Sequence, residues 1–266
     1  MRGTVDGLIL REVALGESDK LLTVLTAEHG RILISAKGVR SMKSKHLSLC
    51  RVFTYGNFEY YERGGKRWLA GGSVNDAFFG LNSDVESFAL ASYVAEIAAE
   101  ITGEGVDASE ILRVTLNTLY AIEKKLKPLQ LIKGAYELFA AFRSGYEPEL
   151  SGCGECGAPS ADVFYLDVMG GSLLCQSCMS KRGSGHIPMP ETDAYLAKNI
   201  FLPMSPPVTA AARYIAGATP SRLFAFELKE KTDLDDFARF CETYLLNHLE
   251  RGFKSLEFYK NVEKPL

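Results

Sequence analysis

Four cysteines carry the clearest chemistry in this sequence. Cys153-x2-Cys156 and Cys175-x2-Cys178 are separated by 18 residues. A C-x-x-C turn lets two sulfurs approach one ion, and Zn2+ takes four ligands in a tetrahedron at about 2.3 Å. Gly154 and Gly157 lie within and just after the first turn, where positive φ is often required. Two local disulfides or buried free thiols are the competing readings. The paired spacing favours one Zn2+ held by Cys153, Cys156, Cys175 and Cys178. Four thiolates leave no open coordination position, so such an ion braces structure and does not catalyse. Cys50 and Cys241 have no partner in sequence and read as small core residues.

A second kind of chemistry is electrostatic. From Gly30 to Phe58 there is no Asp or Glu, and the stretch carries Arg31, Lys37, Arg40, Lys43, Lys45 and Arg51. The next hairpin adds Arg63, Lys66 and Arg67. The segment Lys37–Lys45 reads as a flexible basic loop between strands, suited to phosphate contacts. Phe53, Tyr55, Phe58, Tyr60, Tyr61 and Trp68 lie nearby. Small barrels bind single strands by stacking bases on aromatics beside a basic groove. The plainer alternative is a solvated loop with aromatics filling a small core. For any one aromatic the core reading is favoured, because half of a strand's side chains point inward.

Catalytic patterns are sparse. His29, His46, His186 and His248 form no H-E-x-x-H pattern and sit beside no nucleophile motif. There is no G-x-x-x-x-G-K-[ST] loop. Gly16-Glu17-Ser18-Asp19 could offer carboxylates to a divalent metal, but reads first as a turn. The expectation is a protein that is not an enzyme.

These groups must be positioned by two kinds of structure. Thr4–Val13, Leu21–Thr26, Arg31–Ala36, Val52–Glu62 and Arg67–Val74 read as five short strands, joined by turns at Gly16–Asp19, Glu28–Gly30 and Gly64-Gly65. Five strands in about 75 residues suit a small barrel, of the OB or the SH3-like kind. After Leu81 the period changes. Ser83-Asp84-Val85-Glu86 has capping-box spacing before a buried helix over Val85–Ile101. Further helices are expected over Asp107–Leu126, from Pro128 to Arg143, over 191–199, over Pro207–Gly217, and from about Thr232 onward.

The chain has 266 residues, which suits roughly two domains at about 150 residues each. Hydrophobic residues make up 47% and charged residues 24%, which excludes wholesale disorder. No run approaches about 18 consecutive apolar residues, so no membrane span is expected, and a cytoplasmic setting with reduced thiols is. The net charge of −3 hides an asymmetry: residues 1–80 hold 12 basic and 8 acidic residues, and the remainder is acidic. A polyanion would therefore bind at the front.

With these residues in view, the chain resembles the RecO family of bacterial DNA repair proteins, which are recombination mediators. The resemblance rests on Gly16-Glu17-x-Asp19, Thr26, Gly30, Ala36-Lys37-Gly38-Val39-Arg40, and a basic loop from Lys45 ending at Phe53. It continues through Ala91-x-Tyr93-x-x-Glu96, Gly145-Tyr146-x-Pro148-x-Leu150-x-x-Cys153, Phe164-Tyr165, Gly170-Gly171, Leu174-Cys175 and Gly252-x-Lys254-Ser255-Leu256. Ser41-Met42-Lys43 is less basic than the family's usual loop. The resemblance implies an α+β multidomain chain: an OB-fold barrel over 1–80, then a mainly helical domain over 81–266 with a four-cysteine zinc knuckle inserted over 151–188. It also implies ATP-independent binding of single- and double-stranded DNA, strand annealing, and partnership with RecR and single-strand-binding protein in loading recombinase. The residues alone leave two other classes open, an RNA- or ribosome-associated barrel protein and a zinc-dependent hydrolase.

Overall fold

The computed structural model describes residues 1–182 and 200–263. His186, the helix expected over 191–199 and positions 183–188 of the cysteine segment lie outside them. Two compact units are present. One comprises Met1–Leu126 with the segment from Lys254 onward, and the other Lys127–Phe253.

In the first unit, β1 (Arg2–Leu15), β2 (Asp19–Thr26), β3 (Gly30–Ala36), β4 (Tyr55–Arg63) and β5 (Lys66–Asp76) close into a barrel of order β1-β2-β3-β5-β4. A single parallel pair, Ser35 opposite Trp68, joins β3 to β5; the other pairings are antiparallel. This order is OB-like and decides between the two barrel kinds. Alternation supplies the core, where Ile9, Leu22, Val24, Ile32, Ile34, Phe58 and Tyr60 meet. At the β2–β3 turn Gly30 has φ 61°, and a Cβ there would stand 2.1 Å from the Gly103 carbonyl oxygen. Only glycine fits that approach.

The connection from β3 to β4 is not the flexible loop expected. Val39, Leu49 and Cys50 are buried and belong to the barrel core. Burial pushes the Cys50 thiol up to about 12, which makes it inert. Lys20 Nζ donates to the Cys50 carbonyl at 2.9 Å and pairs with Glu12 at 3.0 Å. Phe53 is buried with φ 65°. Its N–H donates to the Ile9 carbonyl, and its ring meets Phe88 edge-on. This left-handed residue delays the fourth strand to Tyr55, three residues after the expected start at Val52.

A 3-10 turn over Phe79–Ser83 leads to α1 (Val85–Ile101). The cap is Asp84 and not the expected Ser83: Asp84 accepts the Ser87 N–H at 2.7 Å, while Ser83 Oγ donates to the Gly80 carbonyl. The Ser87 N–H holds the Asp84 carboxyl below its usual range, against partial burial. Ala89, Ala91, Ala95 and Ala98 are buried on α1 together with Leu90, Tyr93 and Ile97, as its apolar composition requires. α2 (Ser109–Glu123) follows.

In the second unit, α3 (Leu129–Arg143) begins after Pro128 and is buried from Leu131 to Phe142. Its partner is the long helix that ends the unit. Between them lie β6 (Glu149–Cys153), β7 (Phe164–Asp167), β8 (Ser172–Cys175), α4 (Gln176–Lys181), β9 (Phe201–Met204) and α5 (Pro206–Ala216), and the partner itself is α6 (Lys231–Leu249). The four strands form one sheet of order β6-β8-β7-β9. Lys133 of α3 pairs with Glu137 at 2.9 Å and with Glu242 of α6 at 2.7 Å, inside the helix pair. Cys241 is buried there too, in the core role expected. In the first unit, α7 (Lys254–Glu263) packs on α1, where Ser255 N–H and hydroxyl both donate to Glu96 Oε2.

Candidate nucleic-acid interface and four-thiolate centre

The β1–β2 turn and the basic connection hold each other. Asp19 Oδ1 accepts the Gly38 N–H at 2.9 Å, and Gly38 takes φ 66° to present it. That bond, followed by the Ser18 hydroxyl, holds the Asp19 carboxyl below its usual range. The Arg40 N–H donates to the Ser18 carbonyl at 3.0 Å, and Arg40 Nη1 to the Gly16 carbonyl at 2.6 Å. Gly16-Glu17-Ser18-Asp19 is therefore the seat of Lys37-Gly38-Val39-Arg40, which gives that turn a structural purpose in place of a metal.

The nine expected cationic contacts divide into two kinds. Lys37, Lys43, Lys45, Arg51, Arg63 and Lys66 are exposed and make no ion pair among the described residues. Arg31, Arg40 and Arg67 are already engaged within the protein. Arg31 Nη1 donates to the Ala99 carbonyl. Arg67 pairs with Glu104 at 2.8 Å and Glu62 at 3.4 Å. The aromatics divide as well. Phe53, Phe58 and Tyr60 are core, Tyr55 and Trp68 are half-buried, and Tyr61 is 44% exposed. Arg2, which lies before the expected first strand, was not legible as part of this surface; β1 reaches back to it and sets it opposite Tyr61.

In the second unit the four cysteines converge. Cys153 ends β6, and the turn after it returns through Gly157, whose φ is 73° and whose N–H donates to the Cys153 carbonyl. Gly154 has no positive φ; its N–H instead bonds the Leu173 carbonyl. Cys175 ends β8 and caps α4, which carries Cys178. One ligand atom from each of the four lies within 4.8 Å of the others. Cys156 and Cys175 sulfurs stand 3.8 Å apart. Sulfurs at tetrahedral corners about 2.3 Å from an ion are about 3.8 Å apart, so the donor set fits a metal. Burial raises the Cys153 thiol, but N–H groups of Cys156, Cys175 and Glu155 outweigh it and bring it down to about 6. Burial and the neighbouring thiols push Cys178 up. Arg213 of α5 braces the segment by donating to the carbonyls of Leu150, Ser151 and Pro159.

These features define a class: an OB-like closed barrel bearing exposed cations, followed in sequence by a helical unit with a thiol cluster able to hold a metal ion. Comparison with known proteins narrows it. Residues 1–75 match the family model Recombination protein O N terminal, and residues 82–200 match Recombination protein O C terminal. The DNA repair protein RecO of Acetivibrio thermocellus is 27% identical over 97% of this chain and 96% of its own. That of Streptomyces griseus is 28% identical over 97% of this chain and 98% of its own. That of Anaeromyxobacter dehalogenans is 32% identical over 66% and 70%. The chain belongs to the RecO family. Among the described residues, no helix is long and apolar enough to cross a membrane.

Proposed function

We propose that this protein binds single- and double-stranded DNA through its barrel, anneals complementary strands, and acts with RecR and single-strand-binding protein to load recombinase during recombinational repair in the cytoplasm. The observation that carries the DNA-binding part is the acid-free stretch Gly30–Phe58, with Lys37, Lys43, Lys45 and Arg51 exposed and unpaired among the described residues. Annealing breaks no covalent bond. It needs cations that neutralise two phosphate backbones long enough for bases to pair. The seat at Gly16–Asp19 supports this reading, because a folded loop presents its charges with less ordering cost than a free one. No catalytic group is required.

Cys153, Cys156, Cys175 and Cys178 would hold one Zn2+ as a cross-link between the turn after β6 and the start of α4. When bound, the ion supplies rigidity and no open position for a hydrolytic water. The test is annealing of complementary oligonucleotides without nucleotide triphosphate, with DNA and RNA strands in parallel, and pull-downs with purified RecR and single-strand-binding protein. Accelerated annealing of DNA and capture of both proteins are expected. A preference for RNA would favour an RNA-associated role instead.

A further inference from the structure

The barrel also carries an outward row of side chains that the cationic loop does not account for. Tyr60 and Leu69 face one another across β4 and β5, and both pack in the core. Side chains alternate along a strand, so the next pair, Tyr61 and Trp68, points outward. Arg2 stands opposite Tyr61 on the other side. Its guanidinium donates to Tyr61 Oη at 2.7 Å and lies 5.0 Å from the ring centroid. Ser35, two residues before Lys37, stands beside Trp68. The following outward pair on the same two strands is Arg63 with Lys66, about 7 Å further along. Both are exposed and make no ion pair among the described residues. The intervening pair, Glu62 and Arg67, is an ion pair at 3.4 Å that Glu104 joins at 2.8 Å. Acids on the outward face include Glu59, which lies over Gly71, and Asp6, which accepts from the Asn57 amide further along β1 and β4.

We infer that Tyr61 and Trp68 form a stacking platform for the bases of single-stranded nucleic acid, with Arg63 and Lys66 receiving the adjoining phosphates. This rests on the nucleic-acid reading above and deepens it. Every base has a π-face that an aromatic ring can cover, and each stack is sequence-tolerant. A duplex buries those faces between neighbouring base pairs. The platform therefore selects single strands, whereas the loop cations contact phosphates of either form. Arg2 fixes the tyrosine ring and extends the cationic edge.

Trp68 is the sole tryptophan of the chain, which makes it a built-in reporter. The full-length protein is titrated with a labelled oligothymidylate of about 16 nucleotides, within the span of an OB fold. Anisotropy reports binding and tryptophan emission reports stacking. An abasic oligomer of equal length and a DNA duplex are run alongside. Quenching of Trp68 by oligothymidylate, and not by the abasic strand, is expected. Tyr61→Leu weakens oligothymidylate binding about 5- to 160-fold, a range equivalent to one lost base stack. It leaves duplex binding unchanged, and Tyr61→Phe keeps the wild-type affinity. Binding by anisotropy with unchanged emission, equal quenching by the abasic strand, or an unaffected Tyr61→Leu variant would each overturn the platform while leaving DNA binding intact. Absence of binding to every oligonucleotide would overturn the nucleic-acid reading itself, and the platform with it.

Discussion

Replacing Lys37, Lys43 and Lys45 together with alanine tests whether the folded connection is an electrostatic contact surface. All three side chains are exposed and form no ion pair among the described residues. Arg40 is left in place because it donates to the Gly16 carbonyl and secures the loop. With the six exposed cations all on phosphates, the log-log salt slope for a single strand is about −4, from about −0.7 per contact. Raising salt fourfold then weakens binding about 300-fold. The triple variant retains three contacts, giving a slope near −2 and only about a 20-fold loss over the same range. The loss is equal for all sequences, since phosphate contacts carry no base information. Thermal stability stays within about 0.5 kcal/mol of wild type, as for other exposed charges. Anisotropy titrations at several salt concentrations read both affinity and slope. Identical slopes for wild type and variant would refute the reasoning, whatever the affinities, because counterion release cannot be unchanged after three phosphate contacts vanish.

Three further outcomes are expected. Purified protein contains about one equivalent of Zn2+ by elemental analysis, and Cys175→Ser loses it and makes residues 150–182 more susceptible to proteolysis; metal-free protein with disulfide-linked cysteines would contradict this. Leu49→Ala costs about 2–5 kcal/mol by denaturant unfolding, because Leu49 is buried in the barrel core; a cost near zero would restore the flexible-loop picture. His248 is held below its usual value of 6.5 by burial, against its bond to the Val168 carbonyl at 2.8 Å. Its unfolded form takes up a proton that the folded form resists, so this stability is present above pH 6.5 and declines as pH falls toward the folded value. Thermal melts of wild type and His248→Gln between pH 7.5 and 5 (about the range where histidine titrates) should show the weaker dependence in the variant.

What could be read from the sequence was whatever repeats locally. Period-2 alternation marked the barrel strands to within a few residues, and the apolar composition of Val85–Ile101 marked α1 at both ends. The cysteine pairs were legible because each pair lies within one turn, so spacing alone brings two sulfurs together. Three features were not legible, for three physical reasons. The β6–β9 sheet is built of strands of four and five residues, too short to show a period, and apart from the local β7–β8 hairpin they pair across long separations. α7 is charge-rich and is held by a contact to Glu96, 159 residues away in sequence. The connection after Ala36 has no strand or helix period and carries Lys37, Arg40, Lys43, Lys45 and Arg51, so it reads as a solvated loop, yet Val39, Leu49 and Cys50 all turn inward.

The cations and aromatics show the division most sharply. Composition determined that the front of the chain is basic and aromatic, and spacing determined that four later cysteines fall in two C-x-x-C pairs able to hold a metal. Only tertiary structure decided which charges remain available. Arg31, Arg40 and Arg67 look the same in sequence as Arg51 and Arg63, but their partners are Ala99, Gly16 and Glu104, which chain folding alone brings near. In the same way register, and not residue type, turns Tyr60 inward and Tyr61 outward, because a one-residue step along a strand reverses the face.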